Sequence, residues 1–522
     1  MAFSLEPQSL DWALAHIGRH GDTAVFPRPF EFAAISEDWQ SVRDFLARQD
    51  LDTWVTRPRR ECLSPKGRYA YRVSTQLDPL DSLLYLALVY EIGGMIETAR
   101  VPAEESVVFS HRFGPSASGQ MYRHDIGWLS FTSACVKRAM ASTISWVVLA
   151  DISDFFQRVY HHRIQNTLDA VTCGSPHARV LTKFISQWRG GPSFGIPIGP
   201  SPSRLLAEIT IDDVDHLLLA SQSDFCRYSD DYRIFCRSRK EAYEKLASLA
   251  EALHQNHGLA LQPQKTRIMS SEDFVKFAAR TPESKELNNL AARFEVLVTA
   301  LDLDSPYEAI DYEDLDHDHR QLVDALNLED LLDVELGKEE PDVALTRFIL
   351  RRLAQLNHSD PALKLITNAE KCYEVFSVLM EYLSQLTGLQ KTVRDRVGAE
   401  VIKLITSSIV GHLPYHRCWL LSLFAAKNGW GQDTELNATY HAHSDPFTRR
   451  KAILGMGRAR MGYWFRARLN DAMSLEAWQR RAFLAAVSCL PKDEQDHWYR
   501  AQRTRLDPLD DVVVRWARAN PF

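Results

Sequence analysis

The run Trp146-Val147-Val148-Leu149-Ala150 ends directly on Asp151, and further along two short β-prone arms, Phe225–Tyr228 and Tyr232–Phe235, enclose Ser229-Asp230-Asp231. A short continuous apolar run reads as a buried strand, and paired arms around a brief polar turn read as a tight hairpin. Between them, Ser201-Pro202-Ser203 opens RLLAEITIDDVDHLLLA, a helix expected to have a Ser N-cap and Pro at its first position. Strand, helix, hairpin, helix in that order is an α/β layout. It sets three carboxylates at the ends of rigid strands, where a cleft can form.

Carboxylates held this way suit phosphoryl transfer from a nucleotide. That reaction uses two divalent ions: one lowers the pKa of the attacking hydroxyl, and the other neutralises the leaving pyrophosphate. Mg²⁺ is hard and oxygen-seeking, so its protein ligands are carboxylates on rigid elements. Asp151, Asp230 and Asp231 are the candidate catalytic and metal-binding set, with Mn²⁺ as the alternative ion. Taken singly, a Y-x-D-D string is an ordinary turn and an Asp after a strand is common.

The order of four strings is more specific: LADISDFF from Leu149, GIPIGPSPS from Gly195, YSDD from Tyr228 and LALQPQKT from Leu259. This set resembles palm motifs A, B, C and D of the reverse transcriptases. The resemblance implies that Asp151 and Asp230 are the principal metal ligands and Asp231 the second Asp of motif C. It makes Phe156 the steric gate beneath the sugar C2′, so that dNTPs are preferred over NTPs. Lys265 matches the motif D lysine that donates a proton to departing pyrophosphate; its alternative is a solvated Lys after a strand. Asp154 is expected to make a structural hydrogen bond. Upstream, SPKGRYAYR from Ser64 resembles the fingers segment that grips the triphosphate, which makes Lys66, Arg68 and above all Arg72 nucleotide-binding candidates. Arg112, in VFSHRF, is a candidate on the nucleic-acid track.

The chain departs from that pattern at motif B. Its usual form, approximately L-P-Q-G, offers an amide to nucleotide and template, whereas this chain reads Ile196-Pro197-Ile198-Gly199. Ile198 can make no side-chain hydrogen bond, while Pro197, Gly199 and Pro200 keep the turn. Ile198 and Gly199 therefore remain nucleotide-binding positions, with altered use of nucleotide or template.

The rest of the chain bounds the architecture. With 522 residues, 45% hydrophobic and 25% charged, it has the composition of an ordinary globular protein of two to four domains. LDPLDSLLYLALVYEIGGMIE from Leu77 reads as an apolar helix beginning at Asp78-Pro79. No run reaches the ~18 apolar residues of a membrane span, and the first twenty residues lack a secretory apolar core, so a cytoplasmic chain without a membrane partner is expected. The eight cysteines are scattered without a C-x-x-C pair and read as reduced, mostly buried thiols. The net charge is −7, with most of the excess acid beyond residue 280, so the first part can hold a basic channel.

Strand signals fade after about residue 285. An acidic stretch from Leu301 reads as a solvated linker or helix face, and helices follow. Phe447-Thr-Arg449-Arg450 precedes KAILGMG, and Trp478-Gln-Arg480-Arg481 precedes AFLAAVSCL, 31 positions later (447 to 478). That echo points to stacked helical hairpins of the HEAT kind. RRKAILGMGRARMGYWFRAR, with Arg449, Arg450, Tyr463 and Trp464, either tracks a single-stranded product or is a helix surface with a buried aromatic face. The expected domains are 1–285 (fingers and palm), 286–345 (acidic connector) and 346–522 (helical repeats).

No RNase H carboxylate set, retron-type V-T-G string or basic extension follows the palm. A polymerase joined to helical repeats resembles the abortive-infection (Abi) group of bacterial defence-associated reverse transcriptases. That resemblance implies antiphage defence, DNA synthesis from dNTPs without a conventional template, priming on a protein side chain, covalently attached single-stranded DNA and homo-oligomers. No priming residue is assigned, although the absence of Tyr before Tyr69 excludes a priming Tyr in the extreme N-terminal arm. The alternatives are a templated enzyme copying a dedicated non-coding RNA, and a non-enzymatic scaffold with a relict palm.

Overall fold

The computed structural model describes residues 3–280, 290, 293–294, 317–324, 326–427 and 429–522. It divides into two compact units. The first comprises Met1–Ala24, Asp38–Arg59 and Ser74–Arg280; the second comprises Val25–Glu37, Arg60–Val73 and Thr281–Phe522. The long segment of the second unit begins at Thr281, and two N-terminal segments, Val25–Glu37 and Arg60–Val73, belong with it. The acidic stretch from Leu301 lies outside the described residues except for its end, in the helix His317–Asp324.

The first unit is organised by the helix Pro79–Ala99. Asp78 caps it, its side chain accepting from Leu80 N at 3.2 Å, and Pro79 occupies the first turn, where a missing N–H costs nothing. Contrary to the sequence reading, this helix is long and apolar enough to cross a membrane by length and composition. Most of its side chains are instead buried, and it packs on the helices Pro7–His20, His161–Val171, Pro176–Arg189 and Ser201–Thr210. It is a core helix.

The strands are β1 (Arg60–Gly67), β2 (Ala70–Gln76), β3 (Trp146–Asp151), β4 (Asp224–Tyr228), β5 (Asp231–Cys236) and β6 (Arg267–Ser270). The last four form an antiparallel sheet in the order β4-β5-β3-β6. Alternate residues point to opposite faces. Val147, Leu149, Cys226 and Phe235 pack on Phe131, Cys135 and Ala139 of the helix Trp128–Ala139, together with Phe274. The helix Arg239–His257 also packs on β3 and β5. Over residues 201–220 the structure has two helices, Ser201–Thr210 and Asp212–Ala220, where the sequence suggested one; Ile211 breaks them at φ −107°. The N-cap is Pro200, so the expected Ser cap is displaced by one residue.

In the second unit the helices Pro414–Ala426, Pro446–Arg458, Ala477–Ala486 and Pro508–Ala519 pack each on the next. Asp445, Glu476 and Asp507 cap the last three through backbone N–H groups of their first turns. The aromatic-x-Arg-Arg echo has a structural purpose here. Arg450 donates to both oxygens of Glu31, at 2.9 and 2.6 Å, and Arg481 Nε donates to Glu31 Oε1 at 2.9 Å. The Arg60 guanidinium lies 4.4 Å from the centroid of the Phe447 ring and 4.0 Å from that of Trp478, within cation–π range. These contacts explain why residues 25–37 and 60–73 belong to the helical unit.

Burial pushes the Glu31 carboxyl up, but Arg450 and Arg481 outweigh it and hold it at about 2. Breaking a buried pair by neutralising one partner leaves uncompensated charge. Glu31→Gln is therefore expected to destabilise the chain by about 3–5 kcal/mol in denaturant unfolding at neutral pH. Because the folded pKa is depressed, this contribution is complete above the ordinary value of 4.5 and fades as pH falls through about 2. The difference between parent and variant should close over that window; a difference that persists unchanged would place the stabilisation elsewhere.

Candidate active site

The sheet register assembles the site. Asp151 closes β3, Asp231 opens β5, and the two are direct antiparallel partners. Tyr228 pairs with Asp231 across the hairpin, which leaves Ser229 and Asp230 as its two-residue tip. The Asp230 carbonyl accepts from Ile152 N at 3.1 Å, tying the tip to the residue after Asp151. All three carboxylates thus share one end of the sheet, with Asp151 buried and the other two half-buried.

This crowding has an electrostatic signature. Burial, then the charges of Asp151 and Asp231, push the Asp230 carboxyl up to about 6, against the opposing pull of Lys265. Lys265 Nζ donates to Asp151 Oδ1 at 2.8 Å. Burial disfavours its ammonium form, but the bond to Asp151 more than compensates and its pKa is raised. The motif D segment is strapped to the end of β3: Ser153 N donates to Ala260 O at 2.8 Å, Gln262 N to Asp151 O at 2.7 Å, and Ser153 Oγ to Gln262 Oε1 at 3.1 Å. Lys265 is therefore a held group at the carboxylates rather than a free surface lysine.

The motif B turn is fixed by backbone contacts. Ile196 N donates to Phe156 O, and Thr75 N to Ile198 O, both at 2.9 Å. Gly199 has φ 132°, and a Cβ there would lie 2.5 Å from Thr23 Oγ1, so the position requires glycine. Phe156 is half-buried, edge-on to Phe155 at 5.6 Å. Asp154 is exposed with φ 49° and makes no side-chain cap bond; only its carbonyl is used, by Gln157 N. Its expected side-chain hydrogen bond is absent.

Other candidates fall elsewhere. Lys66, Arg68 and Arg72 belong to the second unit, where Arg68 donates to Glu339 O and pairs with Glu340 at 3.5 Å. Arg112 is fully buried, bonded to Glu97 and the Val108 carbonyl, so the nucleic-acid reading fails for it. The same holds for Arg450, engaged by Glu31, and for Trp464, which is 2% exposed with its indole N–H on Asn437. Arg449 is half-buried over the Tyr440 ring, and Tyr463 is exposed. The buried-aromatic-face reading of that segment fits all but these last two. The cysteines are free thiols, five of them buried.

Sequence reasoning passed over Ser153 and Gln262, which carry no charge to mark them. It also passed over Arg227, Glu208 and Asp215, whose signal was charge set inside otherwise apolar runs. A second acidic group, Glu329, His358 and Asp360, brings its oxygen and nitrogen atoms within 4.8 Å of one another in the helical unit, where His358 is already bonded to Glu329.

Residues 120–294 match the family of reverse transcriptases (RNA-dependent DNA polymerase). The chain carries a reverse-transcriptase domain. With it goes the nucleotidyltransferase activity of an RNA-directed DNA polymerase. Among solved structures, the chain is similar to a telomerase from Candida albicans in complex with a fragment of telomeric RNA (12% identity, TM-score 0.33, 73% of this chain and 69% of that one). It is also similar to a partial Cas6-RT-Cas1–Cas2 complex (20% identity, TM-score 0.27, 48% of this chain and 42% of that one). No curated protein matches the sequence.

Three carboxylates at one sheet end, with Asp151 and Asp231 adding to burial in raising the proton affinity of Asp230, fit a divalent cation, since oxygen donors with concentrated negative charge are what such ions take. Reverse-transcriptase domains use divalent metals. Protons and cations should compete at Asp230, which is protonated below about 6. The Mn²⁺ concentration that half-saturates the protein is expected to be flat from pH 7 to 8 and to rise as pH falls through 6. A titration followed by electron paramagnetic resonance checks this; affinity independent of pH would separate Asp230 from the metal site.

Proposed function

We propose that this chain is a DNA polymerase that transfers nucleotides from dNTPs with two Mg²⁺ ions. The observation that carries the reading is the convergence of Asp151, Asp230 and Asp231 on one sheet end with Lys265 bonded to Asp151. Asp151 and Asp230 would hold the ions, which lower the pKa of the attacking hydroxyl and offset the charge of pyrophosphate. Lys265, an ammonium beside the carboxylates, is placed to give a proton to a leaving phosphate oxygen. Phe156, half-buried and fixed through its carbonyl, limits space beside the sugar. We place the activity in antiphage defence, in the cytoplasm, with a protein side chain as primer, a covalently held DNA product, homo-oligomers and HEAT-like stacking of the second unit. The resemblance to the Abi group supports these points, and the helix-on-helix packing from Pro414 to Ala519 supports the last.

Template-independent synthesis is the preferred reading because Ile198 offers no amide where the family pattern has one. One directional contact contributes roughly 0.5–1.5 kcal/mol, so the remaining bias must come from the shape of the nucleic-acid cleft. A second reading, copying of an RNA, is favoured by the matched family's RNA-dependent members.

Asp151→Asn and Asp230→Asn keep side-chain volume but remove ligand charge, and each is expected to cut DNA synthesis by about three decades or more. Retention of a tenth of the parent rate with Mg²⁺ would end the assignment. Phe156→Ala is expected to raise use of NTPs relative to dNTPs; unchanged discrimination would mean that the gate lies elsewhere. Template use is decided by supplying each dNTP singly without nucleic acid and sequencing the product. Synthesis without RNA is expected, whereas products that require an added RNA and complement it would establish the second reading.

A further inference from the structure

The catalytic hairpin turns through a residue in an unfavourable conformation. Ser229 has φ 54°, a left-handed value that costs an L-residue roughly 1–2 kcal/mol and that glycine usually supplies in two-residue hairpin turns. Such strain persists only where surrounding structure over-determines it. Here both backbone groups of Ser229 are held from below. Its N–H donates to Ser110 Oγ at 2.8 Å, and its carbonyl accepts from Arg227 Nη1 at 3.0 Å.

Arg227 is in turn fixed on every side. Its Nε donates to Asp215 Oδ1 and Oδ2 at 2.8 and 3.0 Å, and Nη1 donates to Glu208 Oε2 at 2.8 Å. Glu208 Oε2 also accepts from Arg100 Nη2 at 2.9 Å, and the same nitrogen donates to Ser110 O at 3.0 Å. Ser110, Arg227 and Asp215 are completely buried, and Glu208 and Arg100 nearly so. Two arginines, two carboxylates and a serine thus form a closed circuit whose two free ends are the N–H and C=O of the residue before Asp230.

We propose that Arg227 and Ser110, braced by Glu208, Asp215 and Arg100, are positioning residues that hold Asp230 where it can share a divalent cation with Asp151. The proposal rests on the polymerase reading given above. The circuit is buried and acts through the Ser229 peptide, so its loss should loosen cation binding more than nucleotide binding.

Ser110→Ala removes one of the two ties and leaves the ion circuit in place. The test measures Mn²⁺ affinity by electron paramagnetic resonance without nucleotide, then Mg²⁺ half-saturation, dNTP KM and kcat for synthesis, alongside the thermal midpoint. Loss of one such hydrogen bond is expected to weaken Mn²⁺ binding and raise the Mg²⁺ requirement by roughly three- to tenfold. The dNTP KM should move less than twofold, and excess Mg²⁺ should restore part of kcat. Arg227→Lys, which cannot span Asp215, Glu208 and Ser229 O together, should show a larger shift in the same direction. If that variant does not fold, Ser110→Ala decides alone. A folded Ser110→Ala protein with parental Mn²⁺ affinity overturns the positioning role while leaving the polymerase reading intact. A parent protein that binds no Mn²⁺ overturns both.

Discussion

Three carboxylates at one end of an antiparallel sheet repel one another, and the sheet register is the first constraint that keeps them together. Asp151 and Asp231 face each other because β3 and β5 pair from Trp146–Cys236 down to their ends, and a slip of one residue would turn every side chain to the opposite face. The apolar residues of β3 make such a slip costly, since Val147, Val148 and Leu149 are buried on both faces. Hydrophobic packing therefore sustains an electrostatic arrangement that would otherwise separate. Asp230, pushed up to about 6, shows how much unfavourable interaction remains for a cation to relieve.

The palm was legible in the sequence because its chemistry and its secondary structure coincide. A buried strand ending on Asp151 and a hairpin tipped by Asp230 are visible in residue order, and both were found where expected, as was the cap of the helix Pro79–Ala99. What residue order does not encode is which partner a charged side chain will meet. Arg112 and Arg450 look like phosphate contacts in one dimension, but each is engaged by a carboxylate from another element, the half-buried Glu97 and the buried Glu31. The steric gate and triphosphate grip depend on such placement too. Phe156 lies in the first unit, while Lys66, Arg68 and Arg72 are counted with the second.

The two copies of the aromatic-x-Arg-Arg echo take the same structural roles. In each copy the aromatic residue and second arginine are interior, and the first arginine serves a local bond: Arg449 to His443 O, Arg480 to Asp507 and Asp510. A motif that recurs at a fixed interval fixes a contact that recurs, and Glu31 satisfies two such contacts at once. The interruption of the helix at Ile211 was invisible for the opposite reason, since its apolar residues continue without a break in pattern.

Glu31 also sets a timetable. The chain emerges from the ribosome N-terminus first, so this carboxylate appears long before Arg450 and Arg481 exist to neutralise it. Until the helices that carry Arg450 and Arg481 are synthesised, the Glu31 carboxylate lacks its partners, and the segment Val25–Glu37, with its buried residues Phe32 and Ile35, lacks the helices it packs on. The helical unit can close around this segment only after Arg450 and Arg481 have been made, so its early and late segments must fold together rather than in order of synthesis.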